Sequence, residues 1–118
     1  GFALSKNIKN IVLGVCETDY SGYPDCRNDF IKSMNNSINL GTDKDLTILT
    51  PLMFLNKSQS WSLAYKLGHD KLIKLIIDET HSCYRGARDL KHEWGYGCDN
   101  CFACKIRSNG WSGYLTSS

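Results

Sequence analysis

The sequence predicts an α/β fold built on a parallel sheet, followed by an irregular metal-binding lobe. Three observations carry this: an unbroken apolar run at Ile11–Cys16, helical periodicities separated by short apolar runs as far as residue 80, and cysteines crowded near the end. The run Ile11-Val12-Leu13-Gly14-Val15-Cys16 does not alternate, as expected of a strand covered on both faces. Upstream of it, residues 3–9 read as the end of a helix. Downstream, Glu17 to Arg27 is a polar loop bearing glycine and proline. Phe30, Ile31, Met34 and Ile38 then recur at helical spacing, with Asp25 or Asn28 as candidate caps and Gly41 as the stop.

Leu46-Thr47-Ile48-Leu49 is a second short strand that runs into Thr50-Pro51, where the missing N–H discourages a central strand from continuing. Asn56 with Gln59 three residues later forms a capping-box signature for a helix carrying Trp61, Ala64 and Tyr65. Gly68 suits its stop, and Asp70 suits the start of a further helix with Leu72, Ile73 and Ile76 inward. After Thr80 the periodicity is lost. The expected division is therefore 1–80 for the α/β portion and 81–118 for the metal lobe. Two strands are too few for a free-standing doubly wound sheet, and the chain opens inside a helical pattern without Met. Both features lead us to expect an excerpt of a longer protein.

At 118 residues and 13.3 kDa the chain suits one domain of ordinary size. Apolar residues at 42% and charged residues at 22% exclude a disordered tail or a fibrous repeat. No apolar stretch approaches the ~20 residues of a membrane span, and no secretory leader pattern opens the sequence. A formal charge of +2 gives no mandate for nucleic acid or anionic lipid. Cytoplasmic residence is the expectation, because closely spaced cysteines in a reducing compartment read as metal ligands rather than disulfides.

Cys98, Cys101 and Cys104 form C-x2-C-x2-C, with Cys83 upstream as a fourth sulfur. Zinc takes four soft ligands tetrahedrally at about 2.3 Å, and a two-residue gap lets one turn aim two sulfurs at one ion. An iron–sulfur cluster is the rival, although no cysteine followed by proline comes after the triplet. Four cysteines close the shell, so the expected role is structural; His92 is the alternative fourth ligand. Gly95 and Gly97 would free the backbone to curl around the site, and Lys105 and Arg107 would offset thiolate charge. A second constellation, Asp19-Tyr20-Ser21-Gly22-Tyr23-Pro24-Asp25-Cys26-Arg27, offers ring faces, carboxylates, a hydroxyl and a guanidinium. It suits either a planar heterocycle or an ordinary solvated turn. A third is Lys57, a cation in the first turn of a helix, where the dipole favours anions. Either a phosphate bound there or plain exposure accounts for it.

Taken together, these segments resemble the 7-cyano-7-deazaguanine synthase family. The resemblance rests on Gly14-Val15, the Asp19–Arg27 loop, Pro51-Leu52-Met53 with Leu55 and Lys57, Glu79-Thr80-His81-Ser82-Cys83-Tyr84, and Gly97-Cys98 through Cys101, Ala103-Cys104, Arg107 and Gly110. It implies the C-terminal half of an adenine-nucleotide α-hydrolase-like, or ATP pyrophosphatase, fold. Residues 1–80 would then belong to a nucleotide-binding domain. It further implies ATP-dependent conversion of 7-carboxy-7-deazaguanine and ammonia to the nitrile in queuosine biosynthesis, through an activated carboxyl and an amide. Zinc would be held by Cys83, Cys98, Cys101 and Cys104, and ATP would enter with magnesium. Asp19, Tyr20, Ser21, Tyr23, Asp25 and Arg27 would shape the deazaguanine pocket, and Lys57 would approach the nucleotide phosphates. A homodimer is implied, with no direct nucleic-acid or membrane partner.

The family's Ser-Gly-Gly-x-Asp-Ser phosphate loop is not among these residues, so the chain by itself is expected to be inactive. Two other readings are open. In a zinc-ribbon nucleic-acid module, Trp94, Tyr96, Phe102 and Trp111 would stack between Arg85, Arg88, Lys91, Lys105 and Arg107. In a tRNA-thiolating relative of the same superfamily, Cys26 would be the reactive sulfur.

Overall fold

Strand β1 (Asn10–Val12) and strand β2 (Thr47–Leu49) form a parallel pair in register Asn10↔Thr47, Ile11↔Ile48 and Val12↔Leu49. The structure is a computed structural model and describes residues 1–17 and 23–117. Contacts divide the chain into two units, Gly1–Leu55 and Asn56–Ser118. The helix that follows Asn56 thus groups with the cysteine-bearing tail, although its sequence pattern is that of the α/β portion.

In the first unit, a short helix α1 (Phe2–Ser5) precedes β1, and α2 (Asn28–Thr42) links the two strands, as a parallel crossover requires. The strand at Ile11–Cys16 is shorter than the apolar run that predicts it. Val12 is 65% exposed, so among the described residues β1 is not covered on both faces. Past Val12 the chain leaves strand geometry, with the Leu13 N–H still donating to the Leu49 carbonyl at 2.9 Å.

The other edge of β2 is closed by side chains. Asn35 and Asn39 stand one turn apart on α2 and act as surrogate strand backbone. Asn35 Nδ2 donates to the Leu46 carbonyl at 2.7 Å, and its Oδ1 accepts from the Ile48 N–H at 2.9 Å. Asn39 pairs both ways with Leu46, at 2.8 Å in each direction. Leu46 itself is buried, so these amides satisfy backbone groups that water does not reach.

The caps of α2 differ from those the sequence suggests. Neither Asp25 nor Asn28 caps the helix through its side chain. The carboxylate of Glu17 instead accepts from the Asn28 N–H at 2.7 Å, placing an anion at the positive end of the helix. At the other end Gly41 lies inside the helix. Asp43, with φ +53°, makes the left-handed exit, a conformation that aspartate tolerates better than most side chains.

The second unit opens with the capping box the sequence announces. Gln59 N–H donates to Asn56 Oδ1 at 2.8 Å, and Asn56 N–H donates to Gln59 Oε1 at 2.9 Å. Helix α3 (Lys57–Glu79) follows, broken at His69, where φ +53° and ψ −153° are not helical. The expected stop at Gly68 and restart near Asp70 are therefore one kink. A side chain at 68 would strike Leu72.

The tail is more regular than expected. Strands β3 (Lys91–His92) and β4 (Gly95–Tyr96) pair antiparallel, and helix α4 (Phe102–Ser117) closes the unit. Trp61, Ile73, Trp94 and Cys104 form the buried core, with Ile76, Ile77, Trp111 and Tyr114 packed around it. Trp61 and Trp111 meet edge to face, with ring centroids 4.8 Å apart. Gly110 and Gly113 let α4 lie directly on the first turn of α3. A Cβ at 110 would collide with Lys57, and one at 113 would stand 2.8 Å from Ser58 Oγ.

Asp78, near the end of α3, bonds Lys74 at 2.6 Å and Lys91 at 2.9 Å, tying the helix to β3. The Lys74 and Lys91 ammonium groups hold its carboxyl down at about 2. The stability it contributes is present above the ordinary carboxylate range and is lost as pH falls through about 2. The thermal midpoint of Asp78→Asn should accordingly fall below that of the wild type at neutral pH and low salt, and the gap should close on acidification from about pH 4. For Asn35→Ala, which strands the Ile48 N–H, urea unfolding followed by circular dichroism should show a loss of about 2 kcal/mol.

Candidate metal centre

The Sγ atoms of Cys83, Cys98, Cys101 and Cys104 all lie within 4.8 Å of one another. Tetrahedral zinc at about 2.3 Å from each sulfur places the sulfurs about 3.8 Å apart, so a small inward adjustment closes this set around one ion. Three segments deliver the ligands. Cys83 follows α3, Cys98 and Cys101 sit in the turn after β4, and Cys104 stands in the first turn of α4.

Backbone N–H groups converge on the sulfurs. Cys98 N–H donates to Cys83 Sγ at 3.4 Å, while Asn100 and Cys101 N–H donate to Cys98 Sγ at 3.4 and 3.3 Å. Cys104 N–H donates to Cys101 Sγ at 3.4 Å. Such donors favour thiolate over thiol. Those from Ala87 and Cys98 draw Cys83 down to about 5, and those from Cys104 and Tyr84 also lower Cys101. Cys104 goes the other way, because burial pushes it up to about 12. A dication reverses that penalty, since a coordinated thiol is deprotonated outright.

The glycines before Cys98 make room rather than merely loosen the chain. A Cβ at Gly97 would stand 2.6 Å from Cys104 Sγ and 3.0 Å from the Trp94 ring. Gly95 has φ +123°, and its Cβ would lie 2.7 Å from Arg107 Nη2. The turn between Cys98 and Cys101 closes through Asp99 in the left-handed region, φ +57°. His92 stands apart from the cluster. Its Nε2 bonds the Gly97 carbonyl at 3.0 Å, and its ring stacks on Trp94 at 4.5 Å. The fourth sulfur of the cluster is that of Cys83, and a shell of four cysteines around one ion would leave no open coordination position for chemistry.

The other predicted residues are placed as follows. Asp19, Tyr20 and Ser21 lie outside the described residues. Tyr23, Asp25 and Arg27 are exposed on either side of and within the 3-10 turn Pro24–Cys26. Lys57 is half-buried and lines a cleft of about 180 Å³ with Ser60, Trp61, Ile76, Thr80, Ser82 and Arg107. Trp94 is in the core and Trp111 packs against it, so neither is an open stacking platform. Tyr96 carries Arg88 over its face at 4.4 Å.

Arg107 is the residue that sequence reasoning undervalued. It is 5% exposed and binds three acceptors: Trp94 carbonyl at 2.9 Å, Ser82 Oγ at 3.1 Å and Ile76 carbonyl at 3.1 Å. What the sequence shows of this role is its place three residues after Cys104, the same helical face one turn on. Burial pulls the guanidinium below its ordinary value, opposed by the charge of Cys104.

A parallel strand pair crossed over by a helix, together with a lobe of four converging sulfurs, defines an α/β protein with a four-cysteine cluster able to hold a metal ion. The chain belongs to the family described as queuosine biosynthesis protein QueC, whose model matches residues 1–115. Among curated relatives, the 7-cyano-7-deazaguanine synthase of Gluconobacter oxydans is 51% identical over 115 residues, covering 98% of this chain and 48% of the relative. That of Parvibaculum lavamentivorans is 56% identical over 105 residues, covering 89% and 44%. That of Nitratidesulfovibrio vulgaris is 47% identical over 113 residues, covering 96% and 47%. The chain thus spans about half the length of these relatives.

Gly97→Ala tests the fit of the centre. The added methyl must displace Cys104 Sγ, and competition with a chromophoric chelator should show metal affinity lowered about 10- to 100-fold, the range for disturbed ligand support.

Proposed function

We propose that the protein carrying this chain is an ATP-dependent carbon–nitrogen ligase that makes 7-cyano-7-deazaguanine from 7-carboxy-7-deazaguanine and ammonia. The supporting observation is the name 7-cyano-7-deazaguanine synthase borne by relatives about half identical across nearly all of this chain. In this reading the strand pair and α2 belong to an ATP pyrophosphatase-like domain reaching residue 80, and residues 81–118 form its zinc lobe. Cys83, Cys98, Cys101 and Cys104 hold one structural zinc ion, which supplies cross-linking of three segments and takes no part in bond making.

The chemistry needs activation twice. A carboxylate is a poor acyl donor. Transfer of AMP from ATP to its oxygen creates a leaving group and releases pyrophosphate. Ammonia then displaces AMP to give the amide. Activation of the amide oxygen by a second ATP lets it depart as AMP, leaving the nitrile. In this scheme Lys57 sits at the nucleotide phosphates, which magnesium accompanies. Asp19, Tyr20, Ser21, Tyr23, Asp25 and Arg27 receive the deazapurine, the tyrosine rings against its faces and the charged groups at its edge. The protein acts as a cytoplasmic homodimer on small molecules.

Mass spectrometry of the complete protein incubated with the acid, ammonia and ATP should show the nitrile, with AMP and pyrophosphate released. Lys57→Ala should raise the KM for ATP about tenfold or more, the weight of one charge-assisted contact. Cys26→Ser should leave nitrile formation in place. Sulfur transfer to tRNA that depends on Cys26 would instead assign the protein to the thiolating branch of the superfamily.

A further inference from the structure

Asn109-Gly110, in the middle of α4, is the one Asn-Gly pair in the sequence. Asparagine is a thermolabile residue, and it is weakest before glycine, which sets no Cβ beside the backbone nitrogen that attacks it. The packing of α4 on α3 holds that glycine in place. A Cβ at 110 would lie 3.1 Å from the Lys57 carbonyl carbon and 3.2 Å from its Cα, and backbone atoms have no rotamer with which to yield. Gly110 is buried in that contact, while Asn109 beside it is exposed.

The damaging reaction is intramolecular. The Gly110 nitrogen attacks Asn109 Cγ and forms an N–Cγ bond. The Cγ–Nδ2 bond breaks, and Nδ2 leaves as ammonia with the proton from the Gly110 N–H. Water then opens the succinimide at either carbonyl, giving aspartate or isoaspartate. Helical geometry blocks the first step. Inside α4 the Gly110 N–H is directed at the Ile106 carbonyl, and ring closure requires the Asn109 ψ to leave its helical value of about −42°.

The helix owes little of this protection to itself. Ser108, Asn109, Gly110, Ser112 and Gly113 are all weak helix formers, so α4 depends on what it packs against. Cys104, in its first turn, belongs both to the four converging sulfurs and to the buried core, and Trp111 and Tyr114 pack around that same core. An ion shared by three segments contributes its binding energy to the folding of the unit.

We infer that Asn109 is a latent deamidation site kept closed by the metal-loaded cysteine cluster, and that its conversion to isoaspartate after metal loss makes that loss irreversible. Isoaspartate routes the main chain through the former side chain and inserts one extra backbone carbon. The insertion falls where α4 comes closest to the first turn of α3, so the helix no longer seats there and Cys104 no longer returns to the other sulfurs. The inference rests on the four cysteines holding an ion and is independent of the reaction catalysed.

The complete protein with zinc bound is incubated at neutral pH beside the same protein stripped by a chelator. The tryptic peptide beginning at Ser108 is followed by mass spectrometry, and elemental analysis reports the metal content of the same samples. Deamidation at Asn109 should run about tenfold or more faster in the stripped protein, because local opening of the helix sets the rate. Zinc returned early should restore the circular dichroism, whereas zinc returned late should fail in proportion to the isoaspartate formed. Asn109→Gln, whose longer side chain does not form the five-membered ring, should recover at both times. Equal deamidation with and without bound zinc overturns the inference, as does a loss of recovery that Asn109→Gln shares. A protein that takes up no zinc overturns the metal reading itself and the guard with it.

Discussion

Four sulfurs drawn within 4.8 Å of one another are the constraint on which the second unit depends. The four thiols pull in different directions: burial makes Cys104 resist ionisation, while backbone donors draw Cys83 and Cys101 toward it. One dication held by the four cysteines would resolve that conflict and join the end of α3, the turn after β4 and the start of α4. The unit has a small core of two tryptophans, an isoleucine and a cysteine, and that cysteine, Cys104, is one of the four in the cluster. Metal binding at this cluster would therefore be coupled to hydrophobic packing, as in small domains that fold around an ion.

Arg107 extends the constraint outward. Its bonds to Trp94, Ser82 and Ile76 connect the hairpin, the segment before Cys83 and the last turns of α3. The Ile76 carbonyl also accepts from the Thr80 backbone and hydroxyl, so the helix end and the guanidinium share one acceptor. Arg107, read from sequence as an offset to thiolate charge, is also a fixed cross-brace, and Gly95 is glycine because the guanidinium occupies the space a side chain would need.

Local chemistry was legible in the sequence and long-range substitution of one group for another was not. The capping box at Asn56 and Gln59, the cysteine spacing and the break between Gly68 and Asp70 depend on neighbours a few residues apart, and each is present. Helix α4 escaped notice because Gly110, Gly113 and the polar residues between Arg107 and Trp111 blur its periodicity. The N-terminal cap of α2 comes from Glu17, eleven residues away, and the outer edge of β2 is satisfied by Asn35 and Asn39. Both asparagines look like solvent-facing helix positions when only spacing is known. Of the loop expected to hold the heterocycle, Tyr23, Asp25 and Arg27 are exposed, and their pattern in the sequence carries more information than their local geometry.

Replacing glycine by alanine inside a helix is among the most dependable stabilising changes in protein engineering, worth about 0.5–1 kcal/mol. On α4 that rule inverts. The missing methyl at Gly110 is what allows Lys57 its place, so a substitution chosen to strengthen one helix would push on the backbone and Cβ of the first residue of another. The seat of the first turn of α3 is thus set by two hydrogen atoms on a neighbouring backbone, a dependence invisible to any score that treats helices one at a time.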